Sequence, residues 1–139
     1  MFVWQKTIRE LLSNSQPVRG LVGARVYLNQ APINTALPLI TLAQQGGRPT
    51  GQGMAGRSDS FDATLGVVVA DRDTDRLCKV ADGVFEVLDD YEDEEDLVGA
   101  ITSVTLSDET QVIEDPQPAD GGEPIHLIRQ LYSVSYRRR

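Results

Sequence analysis

The chain is poor in the residues that staple, ligate and catalyse. Its 139 residues hold one cysteine, Cys78, so neither a disulfide framework nor a cysteine-built zinc site can be assembled. The expected place of Cys78 is a semi-buried, inert one beside a helix stripe. One histidine, His126, excludes paired-histidine metal motifs, and it reads as a structural or exposed ring near the start of a strand. No run approaches the ~20 apolar residues that a membrane-spanning helix needs. The opening MFVWQKTIRELLSN lacks a cationic start followed by a pure apolar stretch, so no secretory signal is expected and a reducing, cytoplasmic folding environment is the default. There is no G-x-S-x-G elbow and no evident cluster of titratable groups, so neither an enzyme nor a cofactor is expected.

Basic residues are missing from one long stretch. Residues 80–128 carry fifteen acids and no Lys or Arg, whereas residues 1–79 carry nine bases against six acids and residues 129–139 carry four arginines and no acid. The net charge of −8 therefore hides a polarised chain. A broad basic face for nucleic acid is excluded, because little counterion release is on offer. The acidic third suits repulsion of DNA or attraction of a basic partner.

What is present fits one domain, residues 1–139. Trp4, Ile8, Leu11 and Leu12 recur at helical spacing, and Asn14, Ser15 and Pro17 are expected to stop that helix. Gly20 and Gly23 then break a connector before a brief strand over 25–28. Residues 29–36 read as a loop around Pro32. Pro38 opens a β-prone run over 39–44. A glycine-rich loop is expected over 46–57. It spells G-x-G-x-x-G at 51–56 but leads into a strand rather than a helix, which removes the phosphate-binding context. From 58 to 70, Phe61, Ala63, Leu65, Val67 and Val69 share one face, and the Val67–Val69 run asks for cover on both faces. A second helix starts at Asp71 or Asp73, with Leu77, Val80, Ala81, Val84 and Leu88 as its stripe. The acids over 89–97 face the wrong end of the helix dipole and read as a solvated loop without the ligand spacing of a calcium site. Strands over 100–113 and 125–136 close the chain around a turn rich in proline and glycine.

The expected architecture is α+β: a mostly antiparallel four-stranded sheet with two helices packed on one face, in the order α-β-β-α-β-β. Three of the strands reach twelve or more residues, about twice the usual ~5–6. Two helices cannot cover them, and the simplest remaining cover is a second copy of the chain.

The order of these pieces is also familiar. A helix and a short break lead to Leu21-Val22-Gly23-Ala24-Arg25-Val26-Tyr27, then Ala31-Pro32, Pro38-Leu39-Ile40-Thr41-Leu42, an Asp-capped helix and a last strand ending Leu131-Tyr132-Ser133-Val134-Ser135-Tyr136. This resembles the tail-terminator or tail-completion (head–tail joining) proteins of long-tailed bacteriophages. The resemblance implies a structural virion protein of the tail or neck, assembled in the host cytoplasm, with no active site, cofactor or membrane. It implies a ring, commonly hexameric, that caps the tail tube protein, ends tube polymerisation and meets a head-completion or neck protein, while DNA passes through the centre unbound. The acidic 89–96 stretch and the long 114–124 turn depart from the family pattern. Two other readings stand beside this one: a neck or head-completion protein on the capsid side, and an acidic DNA mimic. Three groups of residues are candidate contacts. Arg48, Met54 and Arg57 are expected to touch a neighbouring subunit or the tube. Asp89, Asp90, Glu92, Asp93, Glu94, Glu95 and Asp96 are expected to line the channel or face a partner. Arg137, Arg138 and Arg139 are expected to dock the C-terminus on an acidic surface or to keep an edge strand soluble.

Overall fold

The computed structural model describes residues 3–32, 35–49, 60–93, 100–115 and 123–137. Helix α1 (Val3–Asn14) forms as its spacing requires, with Trp4, Ile8 and Leu12 fully buried one turn apart. It stops at Asn14, where both the Ser15 backbone N–H (3.0 Å) and the Ser15 hydroxyl (2.6 Å) donate to the Leu11 carbonyl. Pro17 does not simply end a helix, as expected from sequence, but stands in the first turn of a second one, α2 (Gln16–Val22). There its missing N–H has no helical partner to lose and its fixed φ suits the turn. Gly20 therefore lies inside α2 rather than in a connector. Gly23, at φ 60°, ends α2 in a conformation that favours glycine.

Among the described residues five strands make one sheet: β1 (Val26–Leu28), β2 (Leu39–Pro49), β3 (Ser60–Asp71), β4 (Ile101–Asp115) and β5 (Ile125–Arg137), in the spatial order β1-β2-β3-β5-β4. Helix α3 (Thr74–Leu88) joins β3 to β4. The α+β class holds, but the expected four strands and two helices become five and three among the described residues. The brief 26–28 strand is the addition to the sheet, and it pairs parallel to β2 while every other pair is antiparallel. Two boundaries also move. β2 runs to Pro49 through a register shift at Gln44/Gly47, so the expected 46–57 loop begins later than its glycines suggested. β4 continues to Asp115, two residues past its expected end.

All three helices cover one face. α3 packs on β3, β5 and β4, and α1 packs on β1 and on both other helices. The core lies between these layers. Leu77, Val80, Ala81, Val84 and Leu88 of α3 are all buried, as the stripe predicted. They meet Leu65, Val67 and Val69 of β3 and Ile128, Tyr132 and Val134 of β5 in one cluster. At one end Trp4 packs on Tyr136 (ring centroids 5.5 Å apart), and Tyr136 stacks on Phe61 at 5.8 Å, which fixes α1 over the sheet. Gly83 lets α2 approach α3 closely: a Cβ there would stand 3.1 Å from the Pro17 carbonyl oxygen.

Candidate interaction surfaces

The helices leave one face and one edge of the sheet open, and these are the candidate interaction surfaces. On the uncovered face of the sheet the registers align Leu39, Ala70, Leu127 and Val112 in one row across β2, β3, β5 and β4. The next row reads Thr41, Val68, Arg129 and Thr110. With Pro32, Leu37 and Ile125, the residues Leu39, Val68, Ala70 and Leu127 of these rows line a concavity of about 530 Å³. The chain before β2 covers this end of the sheet only in part. Ala70 is 6% exposed, while Leu39, Val68 and Leu127 remain half-buried. The Val67–Val69 run had called for cover on both faces, and at Val68 the structure supplies the second cover incompletely.

The junction between β3 and α3 is set by two aspartates with different tasks. Asp73 caps α3, its carboxylate accepting from the backbone N–H of Asp75 (3.0 Å) and Arg76 (3.3 Å). Asp71 is fully buried and accepts two bonds from the Arg76 guanidinium, at 2.5 and 2.8 Å, plus one from the Arg72 N–H at 2.7 Å. Burial pushes the Asp71 carboxyl up, but the Arg76 guanidinium and the backbone N–H groups of Asp73 and Arg72 more than offset it, so it titrates below its usual 3.8. This is an architectural ion pair holding a strand end to a helix start.

A second polar group lies between α3 and the sheet. Gln130 is fully buried on the core face of β5. Its amide donates to the Ala81 carbonyl (3.0 Å) and to Glu109 (2.8 Å), and its oxygen accepts from the Tyr132 hydroxyl at 2.8 Å. Burial, then the charges of Glu109 and Asp89, push the Tyr132 hydroxyl well above its usual 10.0. Nothing in the alternation of β5 flags Gln130 except that a polar residue falls in phase with Ile128 and Tyr132.

The acidic stretch behaves differently from a free loop. Asp89 ends α3, and Asp90 follows at φ 62°. From there residues 89–93 run along the outer edge of β4. The Asp90 N–H donates to Val104 O (2.8 Å) and the Asp93 N–H to Ile101 O (2.8 Å). In return the Asp93 carboxylate accepts from the Ile101 N–H at 2.6 Å and the Asp89 carboxylate from the Leu106 N–H at 3.2 Å. The Tyr91 hydroxyl donates to Asp93 at 2.7 Å. Two carboxylates thus stand where the carbonyls of another strand would be, and they blunt the first part of an edge. Asp90 and Glu92 are exposed. Glu94, Glu95 and Asp96 lie outside the described residues, as do Met54, Arg57, Arg138 and Arg139.

Of the remaining candidates, Arg48 lies in β2 opposite Asp62 of β3, and Arg137 ends β5 opposite Ser60, its N–H donating to Ala100 O at 2.9 Å. Arg137 is thereby tied to Ala100, whose neighbour Ile101 is bonded to Asp93 of the acidic stretch. Cys78 is exposed on α3 rather than semi-buried, because it lies one position past the inward-facing Leu77. His126 is half-buried near the start of β5. Among the described residues no group of three or more His, Cys, Asp or Glu could hold a metal ion, and no helix is long and apolar enough to cross a membrane.

Comparison with known proteins bears on both family and fold. The family model described as tail completion protein gp17 matches residues 6–119. A chain from a solved structure titled "Virion of native gene transfer agent (GTA) particle" shares the fold, with a TM-score of 0.66 at 12% identity over 94% of this chain and 91% of that one. No curated protein matches.

Proposed function

This chain belongs to the family of tail completion protein gp17, and from that premise we propose that it is the subunit that closes the tail of a phage-like particle. It is a structural component of the virion, at the tail or neck. In the proposed role several copies form a ring on the end of the tail tube, commonly six. The ring stops further tube subunits from adding, offers its other side to a head-completion or neck protein, and leaves a central opening for DNA.

The observation that carries this reading is the unequal cover of the sheet. Strands of 11, 12, 15 and 13 residues have three helices on one face, an apolar concavity on the other, and a long edge strand at one side. Such surfaces are stable in water when assembly covers them, and a closed ring covers the same surfaces in every copy. Polarity of charge supports the conduit. Acidic walls repel phosphates within a Debye length of about 8 Å and so do not hold passing DNA. Asp90 is the exposed acid of the described stretch proposed for that task and Glu92 the one proposed to face a partner, because Asp89 and Asp93 are engaged by the β4 backbone. Arg48, Met54 and Arg57 remain the proposed contacts to a neighbour or the tube, and Arg137, Arg138 and Arg139 the proposed C-terminal dock.

The reading is tested in particles assembled without this chain. Tails of uncontrolled length that never join heads are expected, with normal length and joining restored on adding the purified protein. Tails of normal length in its absence would refute the capping role.

A further inference from the structure

One stretch of the sheet is exposed in three directions. Every residue of β4 from 107 to 113 is exposed on whichever face it points to. The segment 89–93 covers the outer edge of β4 only as far as Leu106, and among the described residues no strand lies beyond β4. Within the stretch Val112 is 47% and Ile113 53% exposed, and they point to opposite faces of the strand. A bare edge carrying two large apolar side chains is a template for association with another chain.

Charge indicates what covers it. The β4 side of the molecule presents Asp108, Glu109, Asp90 and Glu92, with the exposed Arg129 of β5 beside them opposite Thr110. Helix α1, which reaches Tyr136 of β5 through Trp4 and packs on β1 at the far side of the sheet, presents Lys6 and Arg9 with Glu10 as its one acid. The two sides of one chain are therefore electrostatic complements of each other, not of themselves. Surfaces of that kind join head to tail, and head-to-tail contacts close into rings.

Resting on the ring reading above, we infer that the exposed 107–113 stretch of β4 in one copy seats against the basic α1 side of the next copy. Val112 and Ile113 supply the apolar part of the contact, and Asp108 and Glu92 face Lys6 and Arg9 of the neighbour. The interface is heterologous, so each copy uses both sides.

Sedimentation velocity on four chains tests this: the natural one, Asp108→Lys with Glu92→Lys, Lys6→Glu with Arg9→Glu, and the chain carrying all four changes. The altered residues are exposed, and circular dichroism reports whether each chain keeps its fold. Either pair alone is expected to weaken association on the order of a hundredfold, because like charges then meet at every contact. The fourfold variant, and an equal mixture of the two paired variants, are expected to recover it. If the natural chain associates and neither pair changes that, or if each pair weakens it but neither the fourfold variant nor the mixture recovers it, the assignment of these two surfaces is overturned while the ring stands. A natural chain that stays monomeric at every concentration, with and without tail tubes, overturns the ring and this interface together.

Discussion

Asp93 offers a sharp check on the claim that part of the acidic stretch is architecture. Its carboxylate accepts from the Ile101 N–H at 2.6 Å and from the Tyr91 hydroxyl at 2.7 Å, and Ile101 itself is 1% exposed. Replacing Asp93 with Ala leaves the Ile101 N–H without that acceptor at a site water reaches poorly. Losing a bond to a charged acceptor there costs about 2 kcal/mol. For a chain of this length 1 kcal/mol corresponds to roughly 4 °C in melting temperature, so a drop of about 8 °C is expected. Asp93→Asn keeps one acceptor oxygen and should lose about half as much. The control is Glu92→Ala, one residue away and exposed, which should stay within about 0.5 kcal/mol of the natural chain. Urea denaturation of the three variants, with equal slopes confirming a comparable transition, gives the differences directly. If Asp93→Ala and Glu92→Ala prove indistinguishable, the account of carboxylates capping the β4 edge is wrong.

Asp71→Asn is expected to cost about 2 kcal/mol, since it weakens a two-point bond from Arg76 to a buried group whose partner is partly exposed. Because the Asp71 carboxyl titrates lower in the folded chain than unfolded, its contribution is present above about pH 4 and is lost as pH falls through the folded value; acid titration of the natural chain should show that loss, and Asp71→Asn should flatten it. Gln130→Leu preserves volume but strips the Tyr132 hydroxyl of its acceptor, so a loss of about 2 kcal/mol in chemical denaturation is expected, with Gln130→Leu combined with Tyr132→Phe recovering part of it. Gly83→Leu forces a side chain against the backbone of Pro17, where even a Cβ stands at 3.1 Å, and should lower stability by about 1–3 kcal/mol through displacement of α2.

Much of the fold could be read from periodicity, because burial imposes it. The 4-8-12 spacing of Trp4, Ile8 and Leu12, the α3 stripe and the β3 alternation from Ala63 to Val69 all appear in the core as the sequence suggested. The errors share a cause: each concerns a residue whose local preference has two outcomes. Pro17 ends helices and also begins them. Three residues at 26–28 are too few for a period to show, so β1 becomes a member of the sheet only through its parallel pairing with Ile40–Leu42. Glycines at 46–47 suggested a loop, yet backbone pairing carries β2 through a shift in register to Pro49. The interaction surfaces were less legible. Charge counting found the acids but could not tell Asp93, which serves a backbone N–H, from the exposed Glu92 beside it, because the difference lies in what runs alongside in space. The bonds of Gln130 were likewise not legible, as its partners Ala81 and Glu109 stand 49 and 21 residues away in sequence.

The central claim is that copies of this chain finish one another's sheets in a closed ring at the end of a tail tube. Electron microscopy of purified tubes incubated with the protein addresses it most directly. The account predicts a single ring of fixed copy number seated at one end of each tube and no further tube growth from that end. Protein bound along the tube wall, or individual subunits scattered without a ring, would contradict it.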